Sequence, residues 1–406
     1  MAMAVDCEIK RYKKTHHEII IKTEDSQPPR HIPLEIIFDI LSRLPVKSLL
    51  RFRSVCKPWL SLISNPQFVK THLSTKSFKG DDDDDDYTHL RLVLNTHPSH
   101  NVTGLKTCSI ETLRSVLESQ QWVSAVDLDY PFNDLDQDVV VVGSCNGLMC
   151  FATRTGTIYL LNPSTRKSKR LPDSGVKRLW DSRDLYGFGF DESNDDYKVV
   201  LISYRAGGVS SNVMVYTLRT DSWRQIGGFS FGVTCNVFGN FLNGSLLWLV
   251  CVDNSGPGYS YVVVSLDLEK ETYGEVSQPN YGYAESSLDL ELCVLESCLG
   301  MLCRSSKNHT DVWIMKEYGK IDSWTKLFTI RDVAKPCSHT ISTPLCISKN
   351  GELLILYGQH LSVYSPKNGT FRNLVIQNAN NCKQICTYVE SLVSPDADIV
   401  VERQHQ

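Results

Sequence analysis

Acidic residues crowd one short segment of the chain, and carboxylates are among the side chains that enzymes use for acid–base catalysis. Asp191, Glu192, Asp195 and Asp196 lie close together in an Asn- and Asp-rich stretch. Two carboxylates at a suitable distance could serve as the general acid and the general base of a hydrolase. Asn- and Asp-rich stretches are more typical of turns, in which acidic side chains are solvated. We therefore predict a turn here and no catalytic pair.

Cysteine is the second residue type that could do chemistry. The chain has 14 cysteines, and thiolates at C-x-x-C spacing bind zinc. No pair has this spacing, and the closest groups stand among Leu, Met, Val or Ile, where a thiol packs as a small apolar side chain. Scattered cysteines in a long chain fit a reducing compartment. We predict free thiols and no metal site. The grouped cysteines are Cys145 and Cys150; Cys293, Cys298 and Cys303; and Cys382 and Cys386.

Motifs of other enzyme classes are missing from the sequence. It contains no G-x-S-x-G nucleophile elbow, no H-E-x-x-H zinc helix and no Gly-Lys-Ser/Thr phosphate loop. The segment Gly187 to Phe190 is too short for a nucleotide fingerprint, and the 11 histidines show no paired ligand spacing. These observations predict a chain that is not an enzyme and that needs no cofactor.

Charge gives no general affinity for a polyanion. The 42 basic and 46 acidic residues leave a formal net charge of -4. The sequence has basic clusters at Lys10 to Lys14 and at Arg166 to Arg170, and the second cluster has no interleaved aromatic residue for stacking on bases. No apolar run approaches the roughly 18 residues of a membrane-spanning helix. We expect neither nucleic-acid nor membrane binding, and a location in the cytoplasm or the nucleus or both.

The chain divides into two parts of different periodicity. Residues 29–75 show helical spacing of apolar residues, whereas residues 88–400 consist of short β-type runs between turn residues. Residues 76–87 join them and include six consecutive aspartates, which repel one another in a solvated linker. Residues 1–28 are predicted to be a disordered tail.

Three helices are predicted in the first part. Pro33 and Pro45 suit helix starts, Ser54 is a candidate cap for the third helix, and Asn65-Pro66 should end it before a short segment, Gln67 to Leu73. About forty residues hold more apolar side chains than so small a bundle can bury. Either these side chains pack on the β part of the same chain, or they bind a partner, and periodicity alone leaves both interpretations open.

The order of residues in HIPLEIIFDILSRLPVKSLLRFRSVCKPWLSLISNPQFVKTHL, from His31 to Leu73, resembles the F-box. This resemblance implies docking to the Skp-family adaptor of SCF ubiquitin ligases and, through it, to a cullin. It also implies which residues build the core and the adaptor-binding surface of the motif. They are Pro33, Leu34, Ile37, Ile40, Leu41, Leu44, Pro45, Leu49, Leu50, Val55, Cys56 and Trp59.

The second part contains a repeat. Bulky residues that open a strand after a polar turn recur at Trp223, Tyr273, Trp324 and Phe371, with spacings of 50, 51 and 47 residues. Such periods are typical of propeller blades, and about 300 residues would make about six blades. Glycines also precede apolar runs, which we interpret as inner strands entered through tight turns. These glycines are Gly147, Gly244, Gly300 and Gly351.

Two Asp-Ser-Trp triplets, at residues 221–223 and 322–324, lie 101 residues apart, which is two periods. We interpret them as equivalent turn and packing positions, not as ligands. A regular double-glycine kelch signature is absent, because Gly207-Gly208 and Gly227-Gly228 do not recur with the repeat.

Four motifs of the second part resemble the F-box-associated, kelch-like domain of plant receptors: GSCNGLMCF (143–151), YLLNPSTRKSKRLP (159–172), YGFGFDESNDDYKVV (186–200) and VYTLRTDSWRQI (215–226). The resulting fold prediction is α+β multi-domain, with a small three-helix F-box followed by an all-β propeller-like domain. The resemblance implies the substrate-recognition subunit of a ubiquitin ligase, which binds an unknown protein target for degradation. The alternatives are a non-degradative scaffold that uses the F-box only for pairing, and a propeller enzyme.

Overall fold

The structure is a computed structural model of the 406-residue chain. It describes residues 32–77, 90–96, 104–110, 123–130, 139–176, 184–204, 211–234, 237–252, 260–282, 288–305, 309–331, 342–348, 350–357, 360–379 and 382–396. The chain separates into two compact units, residues 1–44 and 45–406. Within the described ranges, no helix has the length and hydropathy needed to cross a membrane. The predicted tail and nearly all of the predicted acidic linker lie outside these ranges.

Between residues 32 and 77, the part of this region that the structure describes, there are four helices, one more than predicted. They are α1 (Leu34–Ser42), α2 (Val46–Phe52), α3 (Lys57–Ile63) and α4 (Pro66–Ser77). The first helix belongs to the first compact unit and the other three belong to the second.

The helix starts show which sequence signals were interpreted correctly. Pro33 and Pro45 precede α1 and α2 as predicted, with φ values of -54° and -59°. Ser54 does not cap the third helix, which begins at Lys57 after an extended Cys56. Helix α4 replaces the short segment predicted after Asn65-Pro66. The Asn65 side-chain oxygen accepts the backbone N–H groups of Gln67 (2.8 Å) and Phe68 (3.4 Å), which caps this helix.

The other described residues of the second unit include 27 short strands and a 3-10 helix, Ile321–Ser323. The strands are β1 (Leu90–Thr96), β2 (Gly104–Ser109), β3 (Val123–Ser124), β4 (Val126–Asp127), β5 (Val139–Cys145), β6 (Leu148–Thr153), β7 (Ile158–Asn162), β8 (Lys167–Arg170), β9 (Asp184–Asp191), β10 (Asp196–Tyr204), β11 (Ser211–Thr217), β12 (Ser222–Ile226), β13 (Val233–Thr234), β14 (Phe238–Leu242), β15 (Ser245–Val252), β16 (Ser260–Asp267), β17 (Tyr273–Val276), β18 (Leu288–Leu295), β19 (Cys298–Ser305), β20 (His309–Met315), β21 (Trp324–Arg331), β22 (Ser342–Ile347), β23 (Leu353–Tyr357), β24 (His360–Ser365), β25 (Thr370–Asn373), β26 (Ile376–Gln377) and β27 (Cys382–Val389).

These strands form a β-propeller. Four sheets have four strands each, and a nine-stranded sheet contains two further antiparallel runs of four. We number the resulting blades in chain order: blade 1 is β27-β1-β2-β4, blade 2 is β5–β8, blade 3 is β9–β12, blade 4 is β14–β17, blade 5 is β18–β21 and blade 6 is β22–β25. The count agrees with the roughly six blades that the repeat length predicts.

Glycines explain why blades 3 and 4 share one sheet. Their first strands, β9 and β14, pair in parallel, with Tyr186 opposite Phe238 and Gly187 opposite Gly239. A Cβ atom on Gly187 or Gly239 would lie 2.5–2.6 Å from atoms of Leu246 or Trp248. The two glycines therefore leave room for the Leu246 and Trp248 side chains beside the paired strands, and the Trp248 ring is buried there.

Apolar cores between successive blades close the ring. Six clusters of buried side chains lie between blades 1 and 2, 2 and 3, 3 and 4, 4 and 5, 5 and 6, and finally 6 and 1. In β23, Leu353 and Ile355 contribute to the core with blade 5, whereas Leu354 and Leu356 contribute to the core with blade 1. Because alternate side chains of a strand point to opposite faces, a strand buried on both faces is apolar throughout.

Blade 1 joins strands from both ends of the propeller sequence. Strand β27 pairs antiparallel with β1, so that Leu90 stands opposite Val389. The Gln384 side chain of β27 also reaches blade 2, where its amide donates to the Val141 carbonyl (2.6 Å) and accepts the Val141 N–H (2.9 Å). The late strand thus completes blade 1 and hydrogen-bonds to the next blade.

The segment after β27 is held by blade 2. The buried Asn162 side chain donates to the carbonyls of Ser391 (3.1 Å) and Val393 (2.7 Å). Gly147, at φ +82°, faces the same segment, and a Cβ atom there would lie 2.2 Å from the Ser391 hydroxyl oxygen. Residues 391–393 therefore contact two of the sequence motifs quoted above, those at 143–151 and 159–172, and stabilise the closed ring.

The predicted repeat positions are structurally equivalent. Trp223, Tyr273, Trp324 and Phe371 all lie in the fourth strands of their blades. The indole N–H of Trp223 donates to the Pro172 carbonyl, and that of Trp324 donates to the Ser277 carbonyl, both at 2.8 Å. Both acceptors follow the fourth strand of the preceding blade. The interpretation of the Asp-Ser-Trp triplets as packing positions is confirmed.

The glycine prediction needs one correction. Gly147, Gly244 and Gly351 have positive φ in tight turns, as predicted. The strands that follow them, β6, β15 and β23, are the second strands of their blades and lie inside the sheets. Gly300 lies inside β19 opposite Cys293. In the turn before it, Glu296 and Ser297 take the positive φ values instead.

Candidate functional site

Helix α1 has apolar side chains on two faces. Leu34, Ile36 and Ile40 are exposed to 42%, 50% and 52%, whereas Leu41 is only 2% exposed. Because residues four apart share a helix face, Ile36 and Ile40 form one exposed stripe, and Ile37 and Leu41 form a more buried one. The apolar side chains of α1 are therefore divided between packing and solvent.

The helices of the second unit divide their apolar residues in the same way. Val46 and Leu49 of α2 are buried, whereas Val55 and Leu60 are exposed to 62% and 46%. Trp59 is half-buried, with its ring 5.3 Å from the Phe52 ring in an edge-on arrangement. This packing holds the start of α3 against α2 and leaves Val55 and Leu60 facing water.

Exposed large apolar residues are concentrated in this part of the chain. Twelve such residues occur among the described ranges, and six of them lie between residues 32 and 60. Isolated exposed apolar residues are normal on protein surfaces, whereas several of them on one short helix, such as Leu34, Ile36 and Ile40 on α1, indicate an interaction surface. The six are Ile32, Leu34, Ile36, Ile40, Val55 and Leu60.

The twelve predicted adaptor-binding residues differ in their exposure to solvent and fall into three groups. Exposed are Pro33, Leu34, Ile40, Pro45, Val55 and Cys56; half-buried are Ile37, Leu44, Leu50 and Trp59; buried are Leu41 and Leu49. The prediction omitted Ile32, Ile36 and Leu60 although all three are exposed. The exposure of Ile36 could have been predicted from helical spacing, because Ile36 stands four residues before Ile40 and shares its helix face.

The acidic segment at residues 191–196 is a turn, as predicted, but two of its carboxylates are not solvated. Asp191 and Asp196 are 1% and 5% exposed. Burial alone would raise the pKa of Asp191, but hydrogen bonds from Lys198 and Asn194 outweigh it and lower that pKa below its usual range. Burial raises the pKa of Asp196, which accepts the Arg219 N–H. Both carboxylates are thus engaged in packing the turn.

Most of the described cysteines are buried or half-buried, and Cys56 is exposed. None of the described cysteines is in a disulfide, and Cys145, Cys150, Cys293, Cys303 and Cys382 are buried. Burial raises the pKa of the Cys382 thiol to about 11, which keeps it protonated at neutral pH. Within the described ranges, no group of three or more His, Cys, Asp or Glu side chains could hold a metal ion.

Comparison with known proteins covers both parts of the chain. The family model for the F-box domain matches residues 30–71, and the one for the F-box associated beta propeller domain matches residues 101–395. An F-box/kelch-repeat protein of Arabidopsis thaliana is 33% identical over 389 residues, which span 92% of this chain and 98% of that protein. The F-box protein CPR1 of Arabidopsis thaliana is 30% identical and covers 80% of this chain and 79% of its own length.

Proposed function

The chain belongs to the F-box proteins that carry an F-box associated β-propeller domain, and from this premise we propose that it is the substrate-recognition subunit of an SCF-type ubiquitin ligase. Its F-box region binds a Skp-family adaptor, which links it to a cullin, and its propeller binds a protein target. The observation that carries the proposal is the concentration of exposed apolar side chains between Ile32 and Leu60.

Exposed apolar side chains are more typical of a protein–protein interface than of a surface in contact with water. Burying a side chain of this size against a partner contributes roughly 1.5–3 kcal/mol. Leu34 and Ile40 on α1, and Val55 and Leu60 in the second unit, can make this contribution without unfolding either unit, because they are already exposed. Leu41 and Leu49 are buried within the chain and support the helices instead.

The proposed role requires no bond-making by this chain. A receptor that holds its target beside the ubiquitin-charged enzyme raises the effective concentration of the target lysines. Recognition then resides in the propeller, whose connecting loops lie at the surface and set specificity. We place this activity in the cytoplasm or the nucleus or both, where the ubiquitin machinery operates.

Adaptor binding is tested by pull-down with a purified Skp-family adaptor. Ile40→Ala and Val55→Ala should each weaken binding by about tenfold, because a truncated interface anchor costs on the order of 1–2 kcal/mol. Ile321→Ala and Val126→Ala are matched controls in the propeller, since these residues are exposed to 56% and 65%, close to the 52% and 62% of Ile40 and Val55.

Two outcomes would contradict the assignment of the adaptor site. Wild-type affinity in both Ile40→Ala and Val55→Ala would show that these side chains do not contact the adaptor, and equal losses in the propeller controls would show a non-specific effect. Leu49→Ala serves only as a folding control, because the side chain is fully buried.

Degradation is tested separately from binding. Proximity labelling with the full chain identifies bound proteins, and their abundance is then measured with and without proteasome inhibition. Partners of a degradation receptor should accumulate under inhibition. Partners that bind but keep constant abundance would instead support the non-degradative scaffold.

A further inference from the structure

An ion pair joins helix α4 to blade 3. The Lys70 ammonium lies 2.5 Å from a carboxylate oxygen of Asp195, in the turn between β9 and β10. The two residues are 125 positions apart in sequence. The contact is therefore tertiary and links the helical part of the second unit to the propeller.

The Asp195 side of this contact is held in place by the turn itself. Asp195 has a φ of +53°. The Arg219 guanidinium donates to its backbone carbonyl (3.1 Å) and lies 3.6 Å from its carboxylate. The neighbouring Asp196 carboxylate accepts the Arg219 backbone N–H at 3.0 Å. The carboxylate that meets Lys70 thus stands on a turn with several tertiary hydrogen bonds.

The same turn is connected to blade 4. The buried Lys198 ammonium lies 2.8 Å from the Asp191 carboxylate and 3.2 Å from the Glu271 carboxylate, which belongs to the β16–β17 turn. Arg224 forms a second ion pair with Glu271. Since breaking a buried, hydrogen-bonded charge network is costly, the turn offers a rigid support for a helix.

Side chains on two opposite faces of α4 make contacts within the second unit. Phe68 and His72 are fully buried, and their rings stack at a centroid distance of 6.2 Å. Lys70 stands two residues from each, which places it on the opposite face of the helix. Rotation of α4 would therefore expose the two rings or break the ion pair.

We propose that Lys70 and Asp195 are positioning residues that fix helices α2–α4 on blade 3, so that a target held by the propeller is presented to the ubiquitin-charged enzyme in one orientation. This inference rests on the proposed function. Transfer to a lysine depends on its placement as well as on its local concentration. A flexible connection would spread the target lysines over a larger volume and slow the transfer.

The test uses the full chain with substitutions on both sides of the contact. Lys70→Glu reverses one charge, and Lys70→Arg keeps it and should behave as wild type. Asp195→Asn removes the other charge at a positive-φ position that asparagine tolerates well. Lys320→Glu is the matched control, because Lys320 is an exposed lysine paired with Glu317 in the β20–β21 turn and not with a helix.

Hydrogen exchange and ubiquitin transfer are measured on each variant. Lys70→Glu and Asp195→Asn should speed amide exchange in residues 66–77 by about two- to fivefold, the range expected for an exposed ion pair. In the assembled ligase, transfer to propeller lysines of the receptor itself should fall by a similar factor. Ubiquitin discharge to free lysine should stay constant, because it does not depend on the position of the propeller.

Three outcomes separate this inference from the proposed function. Wild-type exchange and wild-type transfer in both Lys70→Glu and Asp195→Asn would overturn the positioning role. Slower transfer in Lys320→Glu as well would show a general charge effect and would also overturn it. Failure of the wild-type chain to bind the adaptor would overturn the proposed function and the role in transfer, while exchange would still decide whether the pair holds α4.

Discussion

The short helices and the propeller use the same kinds of apolar side chain in opposite ways. In the propeller, leucines and valines of neighbouring blades interlock in six buried cores. Between residues 32 and 60, comparable side chains divide into a buried set and an exposed set. Apolar content alone therefore does not identify an interface. The two regions have similar apolar residues and differ in whether these side chains are buried by other residues.

Truncation of a leucine should separate the two regions most strongly. Leu247→Ala in blade 4 should lower the free energy of unfolding by about 4 kcal/mol, because the side chain is fully buried and leaves a cavity. Leu60→Ala in α3 should change it by less than about 0.5 kcal/mol, because the side chain is 46% exposed. Urea unfolding measures both, and similar losses would mean that Leu60 packs within the chain.

Ring closure should be the next most sensitive feature. Gly147→Ala should lower the free energy of unfolding by about 3 kcal/mol, because the added Cβ meets Ser391 and the Val389 carbonyl in addition to the strain of a positive φ. Gly244→Ala is the matched control, since Gly244 has a φ of +74° and no atom within 4 Å of an added Cβ. It should lose only about 1 kcal/mol. Equal losses would show that close contact with residues 389–391 contributes nothing.

A pH-dependent effect on stability is expected from blade 5 of the propeller, where Glu291 lies in β18. Burial raises the pKa of Glu291 from 4.5 to about 7, with Arg304 and a hydrogen bond to Thr343 acting in the opposite direction. The folded state therefore keeps this proton at pH values where the unfolded state has lost it. Stability should fall by about 3 kcal/mol as the pH rises from about 4.5 to 7, and remain lower above that.

Glu291→Gln tests this assignment, because glutamine resembles the protonated carboxyl group and does not titrate. Urea unfolding between pH 5 and pH 7.5 should show a flatter pH dependence in the variant than in the wild type. An unchanged slope would mean that other groups cause the pH dependence.

The sequence predicted the repeat well, because its signal is local and recurs. Trp223 and Trp324 occupy the same place in blades 3 and 5, so the number of residues between them is twice the blade length. The start of α4 also had a local signal in Asn65-Pro66, which was interpreted as a stop and not as a cap. An Asn-Pro pair is compatible both with the end of one helix and with the start of the next. At this position, burial of Phe68 and His72 favours a new helix.

Contacts between distant residues could not be predicted in this way. In α1, Ile40 is exposed and Leu41 is buried because different residues cover the two faces of the helix. A single sequence does not show which residues cover a face. The burial of Asp191 depends on Lys198 and Glu271, and the latter stands in another blade. Long-range partners thus decided which of the candidate residues belong to packing and which to the surface.

The pairing of β27 with β1 has a consequence for synthesis of the protein. Translation produces β1 almost three hundred residues before its neighbour, because Leu90 pairs with Val389. Until that codon is reached, the nascent first blade has an open strand edge, which is prone to aggregation and attracts chaperones. A ribosome that stops before Cys382 would therefore release a chain in which blades 2–6 have their four strands and blade 1 lacks β27. Such a truncated receptor should be cleared as misfolded before it can compete for the adaptor.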